Sequence, residues 1–407
     1  MIEPVAPERR LRICVLGDLD GLHTQEWLRY FVQRGHDVHG VSYYAPARPL
    51  EGVRVHALRA VLPQKDGLSF RRRMRPGATA RLAQRLPIGL QRFANLVRYR
   101  RAGLRRTVEE IAPDVLHAHY LVEHGLYGTA AGFRPYVVSA WGSDVLVEPQ
   151  RSALNRALAR FTLRRATLAT ANNRHMLREM VLKLGIERAY AQHIVLGVSR
   201  GFLEGAPASV NALPPEQGRS PIVISTRSLD APLYNIDVVL RAMARVRQTL
   251  PDARLLVVGE GRLRPELEAL AQRLGLGDGV TFTGFVSLEE LRRLLAGAEV
   301  FVSVPSSDGT SVALLQAMGA GSFPVVSDLP SQEELVEQGV RGFRVPVRNE
   351  EALAEAITRA LGDGELRRQA VERNRTFVEE YGVTETNMAR MEAWYYRLAG
   401  RADEVAI

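Results

Sequence analysis

Short apolar runs alternate with amphipathic stretches along most of the chain. Runs of this length, rich in β-branched residues and separated by helical patterns, predict parallel strands that are covered by helices on both faces. The first amphipathic stretch predicts a helix over His23–Arg34 that ends at Gly35. In the first half, the predicted strands are Leu11–Leu16, Val38–Val41, Val53–Ala57, Val115–His117, Tyr136–Ser139, Leu168–Thr170 and His193–Val195. This half is therefore predicted to form an α/β domain.

The same alternation starts again after residues 203–220, which are rich in proline, glycine and small residues and predict a linker. Beyond them the predicted strands are Ile222–Thr226, Arg254–Val258, Val280–Phe282, Val300–Val304, Phe323–Val326 and Phe343–Val345. We therefore predict an N-terminal domain over 1–205, a C-terminal domain over 206–380 and, over 381–407, a final segment that contains an amphipathic helix at Glu385–Leu398. Two such sheets facing each other would form a cleft at the carboxyl ends of their strands, where ligands of open α/β sheets bind.

The composition is that of an ordinary soluble globular protein, with 46% hydrophobic and 24% charged residues. The sequence contains no run of eighteen apolar residues, so it predicts no membrane-spanning helix. The segment Met1–Arg10 is polar and lacks the apolar core of a signal peptide. The only cysteine, Cys14, lies in an apolar strand; this predicts a buried inert thiol and excludes both a disulfide framework and a cysteine-based zinc site. We expect a cytoplasmic protein.

Basic residues are concentrated in one segment of the chain. Between Arg59 and Arg106 there are fourteen basic residues and one acidic residue, Asp66, whereas the whole chain has a net charge of +9. Leucine, isoleucine, phenylalanine and valine residues alternate with the basic ones, and such a segment predicts binding of residues 59–106 to an anionic membrane surface, here its inner face. The alternative is a solvated helical face. Nucleic-acid binding is not expected, because the segment contains no recognisable nucleic-acid-binding module.

A polar loop between an apolar run and a helical pattern is the most informative stretch. The run Val300–Val304 predicts a buried strand, and a helix is expected to start near Gly309 or Thr310. The free N–H groups and the dipole of such a helix N-terminus favour a diphosphate. Asp308 lies at the mouth of this loop, and Gln316 lies two turns further along the helix.

Residues 306–321 resemble the donor-site signature of retaining glycosyltransferase family 4, also called glycosyl transferases group 1. That family usually has two glutamates eight positions apart, and this chain has Asp308 and Gln316 at those positions. The resemblance covers residues from about 11 to 400. It implies an α/β GT-B fold, in which two Rossmann-like domains face each other across a cleft and the last helix crosses back to the N-terminal domain. It also implies a UDP- or GDP-linked sugar donor, a sugar or lipid-linked acceptor, and no cofactor.

The resemblance implies that Arg227 contacts the donor diphosphate, Asp308 holds a hydroxyl of the donor sugar and Gln316 reaches the ribose. The lysine that the family has several residues after this arginine is absent, and Tyr234 or Asn235 occupies that region. The other residues expected on the donor side are Gly17, Asn235, Gly259, Phe285, Val286, Gly309, Thr310, Ser311 and Val312. From the residues alone, two alternatives stay open: Arg227 as a surface residue at a strand end, and Asp308 as a helix cap.

Residues that follow strands of the first half are expected on the acceptor side. The resemblance implies that His119 approaches the reactive carbon of the donor sugar; a core pair with His117 is the alternative. Trp141 would stack on a sugar ring, and Asp144 would orient a hydroxyl or cap a turn. His23 completes this acceptor-side set.

An Asp-x-Asp pair, Asp18 and Asp20, follows the first strand. It is similar to the metal-binding pair of the other main glycosyltransferase fold and to the nucleophile loop of haloacid-dehalogenase-like phosphatases. The metal-binding pair lies deeper in its domain, and the phosphatase loop has threonine or valine where this chain has Leu22. We therefore expect no metal ion.

The resemblance implies a retaining, metal-independent hexosyltransferase that acts in glycoconjugate or polysaccharide synthesis. Its catalytic set would be His119, Arg227 and Asp308. Three alternatives stay open: a degenerate GT-B protein that binds a ligand without catalysis, an epimerase and a phosphorylase. The altered acidic positions and the missing lysine favour the first of these alternatives.

Overall fold

The computed structural model describes residues 4–58, 87–101, 103–204 and 220–401. They belong to two compact units, the first formed by Met1–Leu196 with Glu385–Ile407 and the second by Gly197–Thr384. Most of the basic segment predicted to bind a membrane, residues 59–86, lies outside the described residues. In the part of the chain that is described, no helix combines the length and the apolar character that crossing a membrane requires.

The first unit is built on a seven-stranded sheet with the order β3-β2-β1-β4-β5-β6-β7. All neighbouring strands pair in parallel. The strands are β1 (Arg12–Leu16), β2 (Asp37–Ser42), β3 (Val53–Ala57), β4 (Val115–His119), β5 (Tyr136–Ala140), β6 (Leu168–Ala171) and β7 (Ala191–His193). Cys14 is completely buried in β1, as predicted, and burial raises the pKa of its thiol to about 12, which agrees with an inert thiol.

Helices separate these strands. The main ones are α1 (Leu22–Gln33), α2 (Ile88–Arg101), α3 (Leu104–Ile111), α4 (Ala153–Arg165) and α5 (Arg174–Leu182). Between β4 and α4 the chain makes short helical turns at Leu121–Gly125, Leu126–Gly128, Ser143–Leu146 and Glu148–Arg151. The strands with helices between them confirm the α/β prediction for this half.

The second unit has a six-stranded parallel sheet with the order β10-β9-β8-β11-β12-β13. Its strands are β8 (Ile222–Ser225), β9 (Arg254–Val258), β10 (Val280–Gly284), β11 (Val300–Ser303), β12 (Phe323–Ser327) and β13 (Phe343–Val345). Its main helices are α6 (Ile236–Thr249), α7 (Arg264–Arg273), α8 (Leu288–Gly297), α9 (Val312–Ala320), α10 (Glu350–Gly362) and α11 (Gly364–Phe377). In both sheets the order reverses at the first strand of the unit, which places the loops after neighbouring strands at one edge.

The last helix, α12 (Thr384–Leu398), packs on the first unit, as predicted. The Trp27 Nε1–H donates to Tyr395 Oη at 3.1 Å, and Glu392 accepts from Arg34 Nε at 3.0 Å. The Nε2 of His36 lies 2.7 Å from the same carboxylate. Because its partners are cations and hydrogen-bond donors, the pKa of Glu392 is lowered despite its burial. A buried carboxylate satisfied in this way fixes the position of the helix.

All thirteen predicted strands are present. The predicted strand His193–Val195 begins two residues earlier, at Ala191, because β7 pairs with β6 only from Ala169 to Ala171. The units divide at 196/197 rather than at 205/206. The reason is that Phe202 and Leu203 pack against Gly319 of α9, so this stretch adjoins the second unit before the predicted linker begins.

Candidate functional site

The loops that follow β8, β9, β10 and β11 meet at one edge of the second unit. The Leu229 N–H donates to Glu260 O at 3.0 Å, and the Gly259 N–H donates to Gly284 O at 3.0 Å. A Cβ atom on Gly261 would lie 2.1 Å from the carbonyl carbon of Leu229, so this loop needs glycine for its close approach to the neighbouring backbone. Backbone contacts therefore hold the loops in one arrangement.

Arg227 is a cation at this edge, and three groups hold it. Its Nε donates to Ser303 Oγ at 2.8 Å, and its Nη2 forms an ion pair with Asp308. The guanidinium also lies over the ring of Tyr234, 5.1 Å from the ring centroid. Both charged side chains are mostly buried, so the guanidinium is fixed before any ligand arrives.

Helix α9 begins at Val312, two or three residues later than predicted. Its N-cap is Ser311, whose Oγ accepts from the Leu314 N–H at 3.2 Å. Ser311 has the extended backbone that an N-cap needs, and this delays the start of the helix. Asp308 is therefore not the cap. Thr310 and Ser311 are buried, so their side chains point away from solvent.

Gln316 lies on the half-buried stripe of α9, with Val312 one turn before it. Most of the helix is buried, so this stripe is the part of α9 that solvent reaches. The stripe starts at the helix N-terminus, where the first N–H groups have no partner within the helix. The placement keeps Gln316 accessible to a ligand that is bound at that N-terminus.

Asn235 is part of the scaffold of the loop. It is 1% exposed, and its Nδ2 donates to Val304 O at 2.8 Å and to Ser306 Oγ at 2.9 Å. Its Oδ1 accepts from Arg348 Nη1 at 2.9 Å. The amide thus serves contacts within the protein, and Tyr234 is the residue of this pair that touches Arg227.

Four further donor-side predictions lie in loops of the two sheets. Gly259 has φ +146° and lies so close to Arg227 O that a Cβ atom would not fit. Backbone packing therefore explains why this position is glycine. Phe285 is 73% exposed directly after β10, and Val286 beside it is half-buried. Gly17, in the first unit, contacts Thr24 and His119, and a Cβ atom there would lie 3.5 Å from His119 Cβ.

His119 is the last residue of β4 and is almost completely buried. Its Nδ1 lies 3.2 Å from Thr24 Oγ1, and within the described residues its Nε2 has no partner. Burial, assisted by His117 and by two further histidines, lowers its pKa well below the usual value. The imidazole is therefore neutral near physiological pH, with one nitrogen available.

His117, the alternative to His119, belongs to the core. Its Nε2 lies 2.8 Å from Ser139 Oγ, its Nδ1 contacts the hydroxyl of Tyr395, and burial lowers its pKa to about 3. Both ring nitrogens are thus in use. Trp141 packs on His119 at 4.8 Å and edge-on to His23 at 5.5 Å, measured between ring centroids. The structure therefore brings His23, His119 and Trp141 together.

Asp144 holds two loops together and faces no solvent. Its Oδ2 accepts from the Leu121 N–H at 2.7 Å, and its Oδ1 accepts from the N–H groups of Trp141 and Gly142 at 3.0 and 2.8 Å. Burial raises the pKa of Asp144, and these backbone donors oppose that rise. This arrangement favours the structural interpretation of Asp144, although the cap of the next short helix is Gly142.

Asp18 and Asp20 both accept hydrogen bonds from backbone N–H groups of the protein. Asp18 Oδ1 accepts from the Asp20 N–H at 3.1 Å, and Asp20 Oδ1 accepts from the Ala47 N–H at 2.7 Å. An Asx turn thus engages Asp18, and a bond to the loop between β2 and β3 engages Asp20.

Two family models match the two halves of the chain. The model described as "Glycosyl transferase 4-like" matches residues 12–173, and the model described as "Glycosyl transferases group 1" matches residues 214–377. Together they cover most of the chain, including the loops around Arg227 in the second unit and the loops around His119 in the first unit. The chain belongs to the group 1 glycosyltransferases.

Solved structures have the same architecture as this group 1 glycosyltransferase. Sucrose-phosphate synthase from Thermosynechococcus elongatus is 19% identical and superposes with a TM-score of 0.75, covering 96% of this chain and 99% of that one. Anabaena HepE in complex with UDP-glucose is 18% identical with a TM-score of 0.72, covering 96% of this chain and 100% of that one. The GT-B fold class is confirmed.

Sequence relatives match over shorter segments. Alpha-D-kanosaminyltransferase of Streptomyces kanamyceticus is 28% identical over 171 residues. This segment is 42% of this chain, and the match spans about two fifths, 41%, of the relative's length.

Sequence reasoning missed several residues of the two loop groups. Ser303 lay inside the predicted apolar strand Val300–Val304, yet its side chain holds Arg227. Tyr120 has φ +73°, and its hydroxyl lies 2.9 Å from Ser143 Oγ. His124 is buried, and neither ring nitrogen has a partner among the described residues. A tyrosine with positive φ is strained, and nothing in the local sequence signals it.

We expect Asp144→Asn to destabilise the first unit by about 2–3 kcal/mol, because an amide nitrogen cannot accept from the backbone N–H groups that the carboxylate serves. All three tryptophans, Trp27, Trp141 and Trp394, belong to this unit. Urea denaturation followed by tryptophan fluorescence therefore measures its free energy of unfolding. Asp18→Asn, at a turn with one local bond, is the control and should cost less than about 1 kcal/mol. Equal losses for the two variants would contradict this role of Asp144.

Proposed function

We propose that this group 1 glycosyltransferase is a retaining, metal-independent enzyme. It moves a sugar from a nucleotide-diphospho-sugar to an acceptor hydroxyl in glycoconjugate or polysaccharide synthesis. The observation that carries the proposal is the fixed guanidinium of Arg227, which Asp308 holds at the loop that leads into α9. A cation and a helix N-terminus in one loop group suit a leaving diphosphate, because both stabilise negative charge as it develops.

Asp308 has two successive roles in this proposal. Without a ligand it neutralises Arg227. A bound diphosphate competes for the guanidinium, and the carboxylate then accepts hydrogen bonds from hydroxyl groups of the donor sugar. Gln316, on the open stripe of α9, hydrogen-bonds the ribose through an amide that both donates and accepts. A UDP- or GDP-linked donor is proposed, and the binding of UDP-glucose by HepE supports UDP.

The residues around His119 in the first unit form the acceptor side of the proposal. Neutral His119 offers Nε2 to a hydroxyl, and Trp141 and His23 supply ring surfaces for a sugar. A histidine that stays neutral is not the primary base. The departing phosphate takes the acceptor proton instead, which agrees with retention by same-face attack.

The test is a panel of UDP- and GDP-sugars incubated with the purified chain, with and without EDTA. We expect one donor to release its nucleoside diphosphate at an unchanged rate in EDTA, with the product keeping the donor's anomeric configuration by NMR. A thermal shift with a nucleotide-sugar but no release with any acceptor would favour the binding protein that the altered acidic positions suggest. Turnover without acceptor would favour an epimerase, and sugar-phosphate formation from glycan and phosphate would favour a phosphorylase.

Tyr234 provides a second test, since its ring supports Arg227 where relatives have a lysine. We expect Tyr234→Ala to lower kcat/KM for the donor by about threefold to thirtyfold, the equivalent of one cation–π contact. Tyr234→Phe keeps the ring and should retain most of the activity. If the phenylalanine variant lost as much as the alanine variant, the hydroxyl rather than the ring would be the important group.

A further inference from the structure

Two neighbouring helices of the first unit expose apolar side chains. On α2, Leu90 is 46% exposed, Phe93 53% and Val97 36%. Their spacing of three and four residues places them on one face of the helix. On α4, Leu154 and Phe161 are each 39% exposed. Single exposed apolar residues are ordinary, whereas five on two adjacent helices indicate a contact surface.

The two helices pack against each other, so the exposed residues belong to one surface. A Cβ atom on Gly89 would lie 2.8 Å from Leu154 Cδ2. Arg92 of α2 is buried and donates to Glu148 Oε2, just before α4, at 2.9 Å. The opposite sides of the helices are buried in the unit, so α2 and α4 form a rigid platform.

The charge on this platform has one sign. Helices α2 and α4 contain eight arginines and no aspartate or glutamate. Arg100, Arg156 and Arg164 are exposed, and the exposed Arg165 lies over the ring of Phe161, 5.2 Å from its centroid. Glu148, the nearest acid in the chain before α4, is buried and forms ion pairs with Arg92 and Arg151. Among the residues that the structure describes, none of these four exposed arginines pairs with a carboxylate, so the exposed apolar side chains share their helices with unpaired positive charge.

We propose that this surface, the arginine–apolar face, binds an anionic lipid bilayer. The apolar side chains enter the boundary between headgroups and acyl chains, and the arginines contact lipid phosphates. A second copy of the chain is a poorer partner, because the two faces would bring like charges together. Nucleic acid would pair with the arginines but would leave the leucine and valine side chains without an apolar partner.

The face overlaps the membrane segment that the sequence predicted, because α2 lies within residues 59–106, but the two are not the same. The face includes α4, which lies outside residues 59–106. It excludes Arg92, whose charge is neutralised by the ion pair with Glu148. Membrane binding through it does not depend on the proposed enzyme activity. A vesicle-binding measurement without donor therefore tests it separately.

The experiment is sedimentation of the full chain with vesicles of phosphatidylglycerol and phosphatidylcholine in equal parts, compared with phosphatidylcholine alone. We expect binding only to the anionic vesicles, and we expect high salt to weaken it. Arg100→Glu with Arg164→Glu should lower the affinity at least about tenfold. Phe93→Ser with Phe161→Ser should lower the affinity for these vesicles about threefold to tenfold. Because this pair leaves the net charge unchanged, it separates the insertion of apolar side chains from electrostatic attraction to the lipid headgroups.

A matched control pair lies in the second unit, where Leu288 and Arg293 of α8 are exposed. Leu288→Ser with Arg293→Glu should leave vesicle binding unchanged. Tryptophan fluorescence in urea verifies that the first-unit variants fold. The proposal is overturned if the parent chain does not sediment with anionic vesicles at low salt, or if both pairs of first-unit variants bind as well as the control. It is also overturned if the serine pair abolishes self-association or RNA binding while vesicle binding persists.

Discussion

Replacing Arg227 by alanine is expected to lower kcat/KM for the nucleotide-sugar donor by about 10²–10³-fold, as losing one preorganised group that stabilises developing charge does. The variant loses the guanidinium and also leaves the Asp308 carboxylate without its cation. An unpaired carboxylate would then face the incoming diphosphate. Release of nucleoside diphosphate from the preferred donor measures the effect.

A double-mutant cycle separates these two losses. Asp308→Asn in the Arg227→Ala background removes the repulsive charge, so we expect it to restore part of the donor affinity, whereas Asp308→Asn alone should weaken turnover. Arg254, exposed at the start of β9 and therefore at the opposite edge of the sheet, is the matched control. An Arg227→Ala enzyme as active as Arg254→Ala would refute the donor-site role.

Acidification is expected to destabilise the first unit strongly. Burial lowers the pKa of His117 and His124 to about 3 and that of His119 well below its usual value. Below about pH 6.5 the unfolded chain therefore binds protons that the folded chain does not, and each histidine costs about 1.4 kcal/mol per pH unit. The contribution of these histidines to the free energy of unfolding is fully present above about pH 6.5. It is lost as the pH falls toward the pKa values of the folded state.

For the three histidines together we expect a loss of about 4 kcal/mol between about pH 7.5 and pH 5.5. Urea denaturation followed by tryptophan fluorescence at the two pH values measures it, because the tryptophans belong to this unit. His124→Phe keeps a ring of similar size next to Tyr43 and should reduce the loss by about one third. A free energy of unfolding that stayed constant over this range would contradict the prediction, because the three imidazoles would then take up protons equally in the folded and unfolded states.

The strands and the order of the site loops could be predicted from the sequence. Apolar runs such as Tyr136–Ser139 and Phe323–Val326 coincide with strands because a strand between two helical layers is buried on both faces. The carboxyl ends of parallel strands share an edge. The positions of Arg227 and Asp308 after β8 and β11 therefore already implied that they lie close together.

The partners of the site residues could not be predicted in the same way. The ion pair between Arg227 and Asp308 joins residues 81 positions apart. From the sequence, either Tyr234 or Asn235 could occupy the region of the family's lysine. The structure distinguishes the two residues, because Asn235 is buried and its amide is hydrogen-bonded within the protein. The sequence predicted that Asp144 is a carboxylate on the acceptor side. In the structure its side chain is completely buried and accepts hydrogen bonds from three backbone N–H groups.

The sequence by itself determined two α/β units, their strands and the family to which the chain belongs. These follow from local periodicity and from short motifs, which a chain carries before it folds. Only the tertiary structure decided which groups neutralise Arg227, which histidine keeps a free nitrogen, where α9 begins and which arginines remain exposed on α2 and α4. Those properties depend on contacts between residues far apart in the chain, and burial and pairing set the charge state of each group.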